Sequence, residues 1–470
     1  PGAPVDCAAR PVLPPLRGEP RRWPTVVLAA AAAAAAAGAE PPIPTDFDLG
    51  TGRHVLGQAD VGSYAYAGPV LAEGRVFVGT NNARPRDPSR TGDLGVLMAF
   101  SARDGRFLWQ AGHEKLDQDR DFPLQGLCST PAVHGDRIFY VSNRGELVSA
   151  DVEGFHDGEN DGPFAAEART GHTDVDVVWS LDMAAELGVV AHFMAASTPL
   201  VDGDLVFVVT GNGIAEGGGV PAPEAPSFLA VRRDTGEVVW SDATASSGLV
   251  DGQWGSARMW RYEGRFDVVF PGGDGFLYGL DPDNGDIRWR FDGNRPPGGE
   301  VLTGRRRNAF VASPTVVGSR LFVALGRDPE EGSGDGALWA LEGSAGGTPA
   351  TSWFLGGDAF GRAIADVAVA AGVAYAADLD GFVVALDAAT GAERWRYDTL
   401  APIWATPLVT EQGVWVVDTD GDVTLLGDGA DLEVRAEVET WSPIYRAPVV
   451  AGGVMYLLTT ERLYAIGEGG

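Results

Sequence analysis

Four stretches of the sequence share one eleven-residue pattern, which reads AFSARDGRFLW at 99–109, AVRRDTGEVVW at 230–240, GLDPDNGDIRW at 279–289 and ALDAATGAERW at 385–395. In each stretch, alternating apolar and small residues lead to a short polar turn, and a second run ends in Trp. A tight turn between strands needs a positive-φ residue, which glycine supplies at Gly105, Gly236, Gly285 and Gly391. The pattern therefore predicts a β-hairpin that recurs along the chain.

A tryptophan ends each copy of this pattern. A large aromatic residue at a fixed place in every copy is expected to pack between neighbouring units. The sequence thus predicts structural docking by four side chains, namely Trp109, Trp240, Trp289 and Trp395.

A second kind of hairpin precedes each of these. Its copies begin with a small or polar residue, usually followed by Pro, and continue as an alternating run around a glycine turn, as in TPAVHGDRIFYVS (130–142), TPLVDGDLVFVVT (198–210), SPTVVGSRLFVAL (313–325) and TPLVTEQGVWVVD (406–418). Weakened copies of the first hairpin near 146–180, 337–355 and 423–440 bring each kind to eight. Two hairpins make a four-stranded antiparallel blade, so the fold class expected is an all-β, eight-bladed β-propeller.

The two ends of the chain predict how the ring closes. The C-terminal stretch MYLLTTERLYAIGEGG supplies three strands of a blade and no fourth. A degraded copy of the repeat, DFDLGTGRHVL at 46–56, has no first hairpin before it. We therefore expect the N-terminal strand to complete the last blade, which removes a free sheet edge.

The repeated A-x-D-x-x-T-G-x-x-x-W phrase resembles the tryptophan-docking motif of PQQ-type propellers, where PQQ is pyrroloquinoline quinone. That superfamily includes the quinoprotein alcohol dehydrogenases and, more distantly, the BamB-type propellers. The resemblance extends over roughly residues 45–467 and implies the propeller fold, which hosts enzymes, scaffolds and binding modules alike.

The N-terminal part predicts export. Arg21 and Arg22 precede an apolar run rich in alanine, and a small-x-small sequence ends at Ala39. Residues 1–39 are therefore expected to be an upstream extension and a signal peptide cleaved near Ala39, and residues 40–470 a single propeller in the periplasm or outside the cell. The position after the expected cut is Glu40 and not cysteine, so a BamB-type lipid anchor is not expected.

Charge and cysteine content restrict the partners. The chain has 65 acidic and 35 basic residues, a formal charge of −30. Phosphate backbones would be repelled, so nucleic acid is not expected as a partner. There is no CxxCH sequence and no pair of adjacent cysteines, which excludes an attached haem and argues against an alcohol-dehydrogenase type of enzyme. No membrane span is expected, and no catalytic residue is assigned.

Candidate ligand-binding residues precede the innermost strand of each blade, where they are expected to form the rim of the central channel. Aromatic faces, amides and guanidinium groups there suit a planar anion such as PQQ, although aromatic side chains that plug the channel explain the same pattern. The candidates are Tyr66, Gln125, His192, Trp254, Arg307, Asn308, Asp366, Trp404 and Arg446.

One acidic loop resembles half of a calcium site. Asp157, Glu159 and Asp161 alternate before Gly162 as the first ligands of a D-x-D-x-D-G loop do, but Arg169 stands where the closing acid is expected. A solvated acidic turn is the alternative interpretation. Three functions remain open: an exported binding or scaffold module for a protein, glycan or small ligand, a PQQ- and Ca²⁺-dependent oxidoreductase, and a BamB-like outer-membrane assembly factor.

Overall fold

The computed structural model describes residues 41–116, 122–193, 196–298, 307–332, 334–344 and 346–469. The predicted signal peptide, with its cleavage site near Ala39, lies outside these residues. Strands dominate the described chain, and its helical part comprises α1 (Met183–Leu187) and short 3₁₀ turns at Gly154–His156, Ser246–Gly248 and Pro329–Glu331.

The first four blades follow the chain in order. Each is an antiparallel sheet of four consecutive strands. Blade 1 comprises β2 (Val70–Ala72), β3 (Arg75–Asn81), β4 (Leu94–Ser101) and β5 (Phe107–Glu114); blade 2, β6 (Ala132–His134), β7 (Arg137–Val141), β8 (Glu146–Asp151) and β9 (Val177–Asp182); blade 3, β10 (Leu200–Asp202), β11 (Leu205–Val209), β12 (Phe228–Arg232) and β13 (Val238–Asp242); and blade 4, β14 (Arg258–Tyr262), β15 (Arg265–Pro271), β16 (Phe276–Leu280) and β17 (Ile287–Asp292).

Blades 5 to 7 repeat this arrangement, and blade 8 takes one strand from the N-terminal end of the described chain. Blade 5 comprises β18 (Thr315–Val317), β19 (Arg320–Leu325), β20 (Asp335–Glu342) and β21 (Ala350–Gly361); blade 6, β22 (Ala368–Ala370), β23 (Val373–Ala377), β24 (Phe382–Asp387) and β25 (Glu393–Asp398); blade 7, β26 (Leu408–Thr410), β27 (Gly413–Val417), β28 (Asp422–Leu426) and β29 (Val434–Glu439); and blade 8, β30 (Val449–Ala451), β31 (Val454–Leu458), β32 (Arg462–Ile466) and β1 (Val55–Asp60). The predicted eight-bladed propeller is confirmed.

Closure of the ring is also as predicted. Strand β1 pairs antiparallel with β32, with Gln58 opposite Tyr464 and Asp60 opposite Arg462. The degraded repeat at 46–56 supplies mainly the turn that leads into this strand, because β1 begins only at Val55. The N-terminal strand β1 therefore completes blade 8 as its fourth strand.

Packing between blades repeats around the ring. Trp109, Trp240 and Trp395 donate their indole N–H groups to carbonyls of the following blade, at 3.0, 2.9 and 3.3 Å. Trp179 and Trp353, which belong to the weakened copies, do the same at 2.8 and 3.1 Å. Such a bond satisfies the buried N–H while the ring fills the space between two sheets.

Trp289 shares a core cluster with Leu321 of blade 5, but its hydrogen bond differs from those of the other repeat tryptophans. Its indole N–H bonds the Asp267 carboxylate of its own blade at 2.7 Å and not a carbonyl of the next one. In blade 5 the matching turn is covered by Tyr262, since a Cβ added at Gly343 would lie 2.4 Å from that tyrosine ring. Tyr262 thus fills the place that Trp occupies elsewhere.

Docking by tryptophan requires glycine in the facing turn. A Cβ on Gly285 would lie 2.7 Å from the Trp240 ring, whereas a Cβ on Gly264 would meet nothing within 4 Å, and both residues have φ near +75°. We expect Gly285→Ala to lower the free energy of unfolding by about 1–3 kcal/mol more than Gly264→Ala. Both alanines would have to adopt a positive φ, but only the alanine at 285 would also overlap with the Trp240 ring. Urea denaturation of both variants measures the difference, and equal losses would contradict the docking account.

Candidate functional site

All connections from the fourth strand of a blade to the first strand of the next emerge on one face of the ring. Because neighbouring strands run antiparallel, the connections from second to third strands emerge on the same face. We call this the mouth face. The first-to-second and third-to-fourth turns lie on the opposite face.

A cavity of about 580 Å³ opens at the centre of the mouth face. Its size is ordinary for a site that holds a small organic group. Residues that immediately precede or begin the first strands form most of its wall, so every blade contributes. The chain of each blade enters the ring at this wall, which fixes the wall residues on a rigid frame.

Two aromatic clusters lie at this wall. In the first, the ring centroid of Tyr66 lies 4.8 Å from that of Tyr445, 6.0 Å from Trp404 and 5.8 Å from Tyr64. Blades 7 and 8 and the segment before blade 1 therefore meet through one aromatic group. Burial raises the pKa of the Tyr66 and Tyr445 hydroxyls, so both stay neutral.

The second cluster belongs to the segments that lead into blades 2, 3 and 4. The Phe193 ring stacks on Phe122 with centroids 5.0 Å apart and lies 6.2 Å from Trp254. The cavity thus offers flat apolar surfaces from both clusters, which suits a ring-shaped or planar group.

Charged groups complete the wall. Arg258 forms an ion pair with Asp366 at 3.5 Å. Arg446 donates from Nε to the Tyr66 carbonyl at 2.8 Å, and burial lowers the pKa of its guanidinium although nearby Asp366 acts in the opposite sense. No carboxylate of a described residue lies within ion-pairing distance of Arg446. Among the described residues, the Arg446 guanidinium therefore has no direct counter-ion at the cavity wall.

Several polar wall side chains are engaged in joining the blades. The Ser256, Ser313 and Asp366 side chains each accept a hydrogen bond from the backbone N–H of the equivalent position in the preceding blade, at 2.8, 3.0 and 2.6 Å. Thr130 and Thr406 do likewise at 2.8 and 3.2 Å. These oxygens hold the inner ring together, which leaves them poorly suited to act as bases or nucleophiles.

The cavity contains six of the nine candidates predicted from the sequence, namely Tyr66, Gln125, Trp254, Asp366, Trp404 and Arg446. The sequence reasoning missed other wall residues, among them Phe122, Phe193 and Arg258. Ligand binding by any of them stays a prediction.

The other three candidates do not line the cavity. Arg307 is bound to Asp292 at 2.5 Å, and the buried Asn308 amide donates to the Asp335 carbonyl at 2.8 Å. His192 is buried behind Trp254, with ring centroids 5.7 Å apart. Asp292, the last residue of blade 4, binds the Arg307 guanidinium, so Arg307 and Arg446 do not form a pair of guanidinium groups at the rim.

His192 lies in a buried group that the sequence did not reveal. Its Nε2 is 3.8 Å from a carboxylate oxygen of Asp251 and 3.9 Å from one of Asp328. All three ligand atoms lie within 4.8 Å of one another. The two acids are 59 and 136 residues away along the chain, so no local spacing could have indicated them.

The predicted acidic loop lies on the opposite face, between β8 and β9. Carboxylate oxygens of Asp157 and Asp161 come within 4.8 Å of each other and of Asp151, and Glu159 is not part of this group. Asp151 is bound to Arg137 at 2.6 Å. Calcium binding at Asp157, Glu159 and Asp161 stays a prediction.

Comparison with known proteins agrees with this architecture. The chain matches the family described as "Outer membrane protein assembly factor BamB" over residues 93–328 and 331–466. None of the curated protein sequences compared with the chain matches it. In the part of the chain that the structure describes, no helix has the length and apolar content needed to cross a membrane.

Three solved structures illustrate the shared fold. BamB from Moraxella catarrhalis has 16% sequence identity and a TM-score of 0.59, with 88% of this chain and 99% of that one covered. Saccharomyces cerevisiae Sqt1 has 8% identity and a TM-score of 0.53 over 88% and 98% of the two chains. The computationally designed Ika8 protein has 11% identity and a TM-score of 0.51 over 86% and 97%. At these identities the likeness concerns the fold alone.

A carboxyl near Arg307 makes stability depend on pH. Burial raises the pKa of Asp274 to about 6, against 3.8 for an ordinary Asp. The folded state therefore holds this proton more tightly, and the stability it contributes is complete below about pH 4 and lost as the pH rises through about 6. We expect this group to lower the free energy of unfolding by up to about 3 kcal/mol over that interval.

Asp274→Asn removes this titration and should flatten the pH dependence by that amount. Chemical denaturation of both proteins at several pH values between about 4 and 7 gives the difference. Identical pH profiles would contradict the assignment, since the remaining carboxylates are common to both proteins.

Proposed function

The chain belongs to the family of the outer membrane protein assembly factor BamB, and from this premise we propose that it is a non-catalytic binding module that holds a protein partner on its mouth face. A side chain or loop of the partner would enter the central cavity. Assembly of outer-membrane proteins is the narrower form of this proposal, and export directed by residues 1–39 belongs to it as well.

The observation that supports it is a set of exposed apolar side chains on the mouth face. Leu400 is 87% exposed, Trp441 68%, Phe122 45% and Tyr64 41%. All four lie in segments that lead into a first strand. Leu400 and Trp441 are the most exposed large apolar side chains among the described residues, and such groups on the face where a cavity opens are typical of a protein-binding surface.

Two of these residues are held in a strained backbone conformation. Leu400 has φ of 64° and Trp441 has φ of 59°, a region that residues other than glycine rarely adopt. The preceding threonines fix both loops, because the backbone N–H groups of Thr399 and Thr440 donate to the carbonyls of Gly381 and Gly421 at 2.9 and 2.8 Å. Backbone strain of this kind persists only where the surrounding structure holds it in place. Because both strained residues carry exposed apolar side chains, the strain favours a role in recognition.

The cavity determines what the partner inserts. Its two aromatic clusters suit a flat side chain, and Arg446 suits an acceptor group such as a carbonyl or a carboxylate at the end of that side chain. The chain's charge of −30 favours a partner whose surrounding surface is basic, because complementary charge steers association. A glycan or small ligand would fill the cavity without covering Leu400 and Trp441.

The alternative of a PQQ- and Ca²⁺-dependent oxidoreductase fits the wall less well. Arg307 is outside the cavity, and Arg258 is already paired with Asp366. The potential metal ligands nearest the wall include the imidazole of His192, whereas Ca²⁺ prefers oxygen ligands alone. The wall residues therefore do not suit PQQ together with Ca²⁺.

Selection of short random peptides displayed on phage against the whole chain tests the proposal. Selected peptides should bind Trp441→Ala and Trp404→Ala at least about tenfold more weakly, because truncating an aromatic residue at the centre of an interface removes a large share of the binding energy. Thermal melting shows whether each variant is folded.

Val317→Ala is the matched control. Val317 is 46% exposed and lies at the turn between β18 and β19 on the opposite face, so its truncation should leave the affinity unchanged. Peptides that bind all three variants as they bind the unaltered protein would contradict the proposal. Saturable PQQ binding that requires Ca²⁺ and disappears in Arg446→Ala would favour the oxidoreductase instead.

A further inference from the structure

Three connections of the mouth face bring one histidine and two aspartates together in the interior. His192 lies between β9 and β10, Asp251 between β13 and β14, and Asp328 between β19 and β20. Their side chains are 0%, 2% and 6% exposed. Blades 3, 4 and 5 therefore meet at a point from which water is largely excluded.

The hydrogen bond made by one imidazole nitrogen of His192 determines whether the other nitrogen carries a proton. His192 Nδ1 lies 3.0 Å from the Ile214 carbonyl oxygen, which only accepts, so Nδ1 carries a proton and donates it. In the neutral ring Nε2 then presents a lone pair. A carbonyl that fixes the tautomer in this way is the usual support of a metal-binding histidine.

The side of the ring that faces the carboxylates lacks a partner. Nε2 has no hydrogen-bond partner among the described residues. A proton on this atom would have carboxylate oxygens only at 3.8 and 3.9 Å, beyond hydrogen-bonding distance. Without a cation, a nitrogen lone pair and two carboxylates would converge in a buried space, which is electrostatically unfavourable.

Backbone N–H groups hold both carboxylates in place. Asp251 accepts from Gly252 and Asp328 N–H, each at 2.8 Å, and Asp328 accepts from Glu330 N–H at 2.9 Å. Each carboxylate keeps lone pairs for a further ligand, and the N–H of Asp328 couples the two acids directly. Supporting hydrogen bonds of this kind orient the ligands of a metal ion.

A nearby guanidinium does not occupy the space. Arg327 is buried, with Nε 3.8 Å from Asp251 and Nη2 2.6 Å from the Glu331 carboxylate. Its close ion pair is thus with Glu331. Two carboxylates and a neutral imidazole remain, and a divalent cation would balance their charge.

We infer that His192, Asp251 and Asp328 bind a divalent transition-metal ion, with Zn²⁺ and Mn²⁺ as the most suitable ions. Imidazole together with carboxylate suits these ions, whereas Mg²⁺ and Ca²⁺ prefer oxygen ligands alone. Separations of 3.8 and 3.9 Å between ligand atoms allow one ion to contact all three at about 2.0–2.3 Å after small adjustments. Asp328 also lines the central cavity, which gives the ion an entry path.

The ion would brace the part of the mouth face that carries the second aromatic cluster. Phe193 follows His192 in sequence, and Trp254 stands three residues after Asp251 and donates to the His192 carbonyl at 3.5 Å. Metal binding would therefore join blades 3, 4 and 5 beneath these rings and stabilise them. This inference does not depend on the proposed partner binding.

Calorimetric titration of the chelator-treated full chain with Zn²⁺, and separately with Mn²⁺, tests the site. We expect one tight equivalent in the unaltered protein, a loss of at least about 100-fold in affinity in His192→Gln and in Asp328→Asn, and no change in His134→Gln, which alters an exposed histidine. Electron paramagnetic resonance of the Cu²⁺-loaded protein should show coupling to an imidazole nitrogen that is absent in His192→Gln. The metal should also raise the melting temperature of the unaltered protein.

Equal metal binding by the unaltered protein and the His192→Gln variant would overturn the inference. If a folded, unaltered protein binds no more tight metal than His192→Gln does, the three residues do not form a metal site and the bound ions belong to the acidic surface. If His192→Gln does not fold, Asp328→Asn gives the same comparison, because the amide keeps the size of the side chain and removes its charge.

Discussion

Pairing of β1 with β32 is the constraint on which the rest of the structure depends. Blade 8 takes three strands from the end of the chain and one from the beginning, so the ring holds together only when strands from both ends of the chain meet. Until that pair forms, neither the central cavity nor the row of first strands around it has a fixed geometry. The smaller inter-blade contacts, made by tryptophan N–H groups and by side chains at the starts of the first strands, then act on a closed ring.

Closure also explains why the candidate sites lie on one face. Long connections on the mouth face approach the axis from every direction and bring together residues that are distant in sequence. Two consequences of this convergence are the aromatic clusters at the cavity and the buried His192, Asp251 and Asp328. The proposed partner surface and the proposed metal site thus share a frame, although each is supported by its own observations.

The repeat pattern predicted most of the fold. Glycine turns and the terminal tryptophans identified the hairpins, and the unequal ends of the chain predicted closure, because these features are local and recur. Trp289 shares a core cluster with blade 5, although its N–H bonds Asp267 and Tyr262, a residue outside the repeated phrase, lies over the next turn. Trp179 and Trp353 dock like the predicted tryptophans although their copies of the repeat are weakened.

The site was predicted less completely. The repeat shows which residues come just before a first strand, and six of the nine candidates chosen on that basis line the cavity. Arg307 does not line the cavity because its partner Asp292 lies in the preceding strand. His192 is buried behind the wall, and sequence alone does not show which way a side chain turns. Asp251 and Asp328 come from different blades, and only the closed ring brings them to His192.

The most direct test of the account is photo-crosslinking in cells that express the protein. A photoreactive amino acid at position 441 lies on the mouth face, and one at position 317 lies on the opposite face. The account predicts a discrete protein adduct from position 441 and none from position 317. An adduct from position 317 alone, or none from either position in a folded protein, would contradict the central claim that the mouth face holds a protein partner.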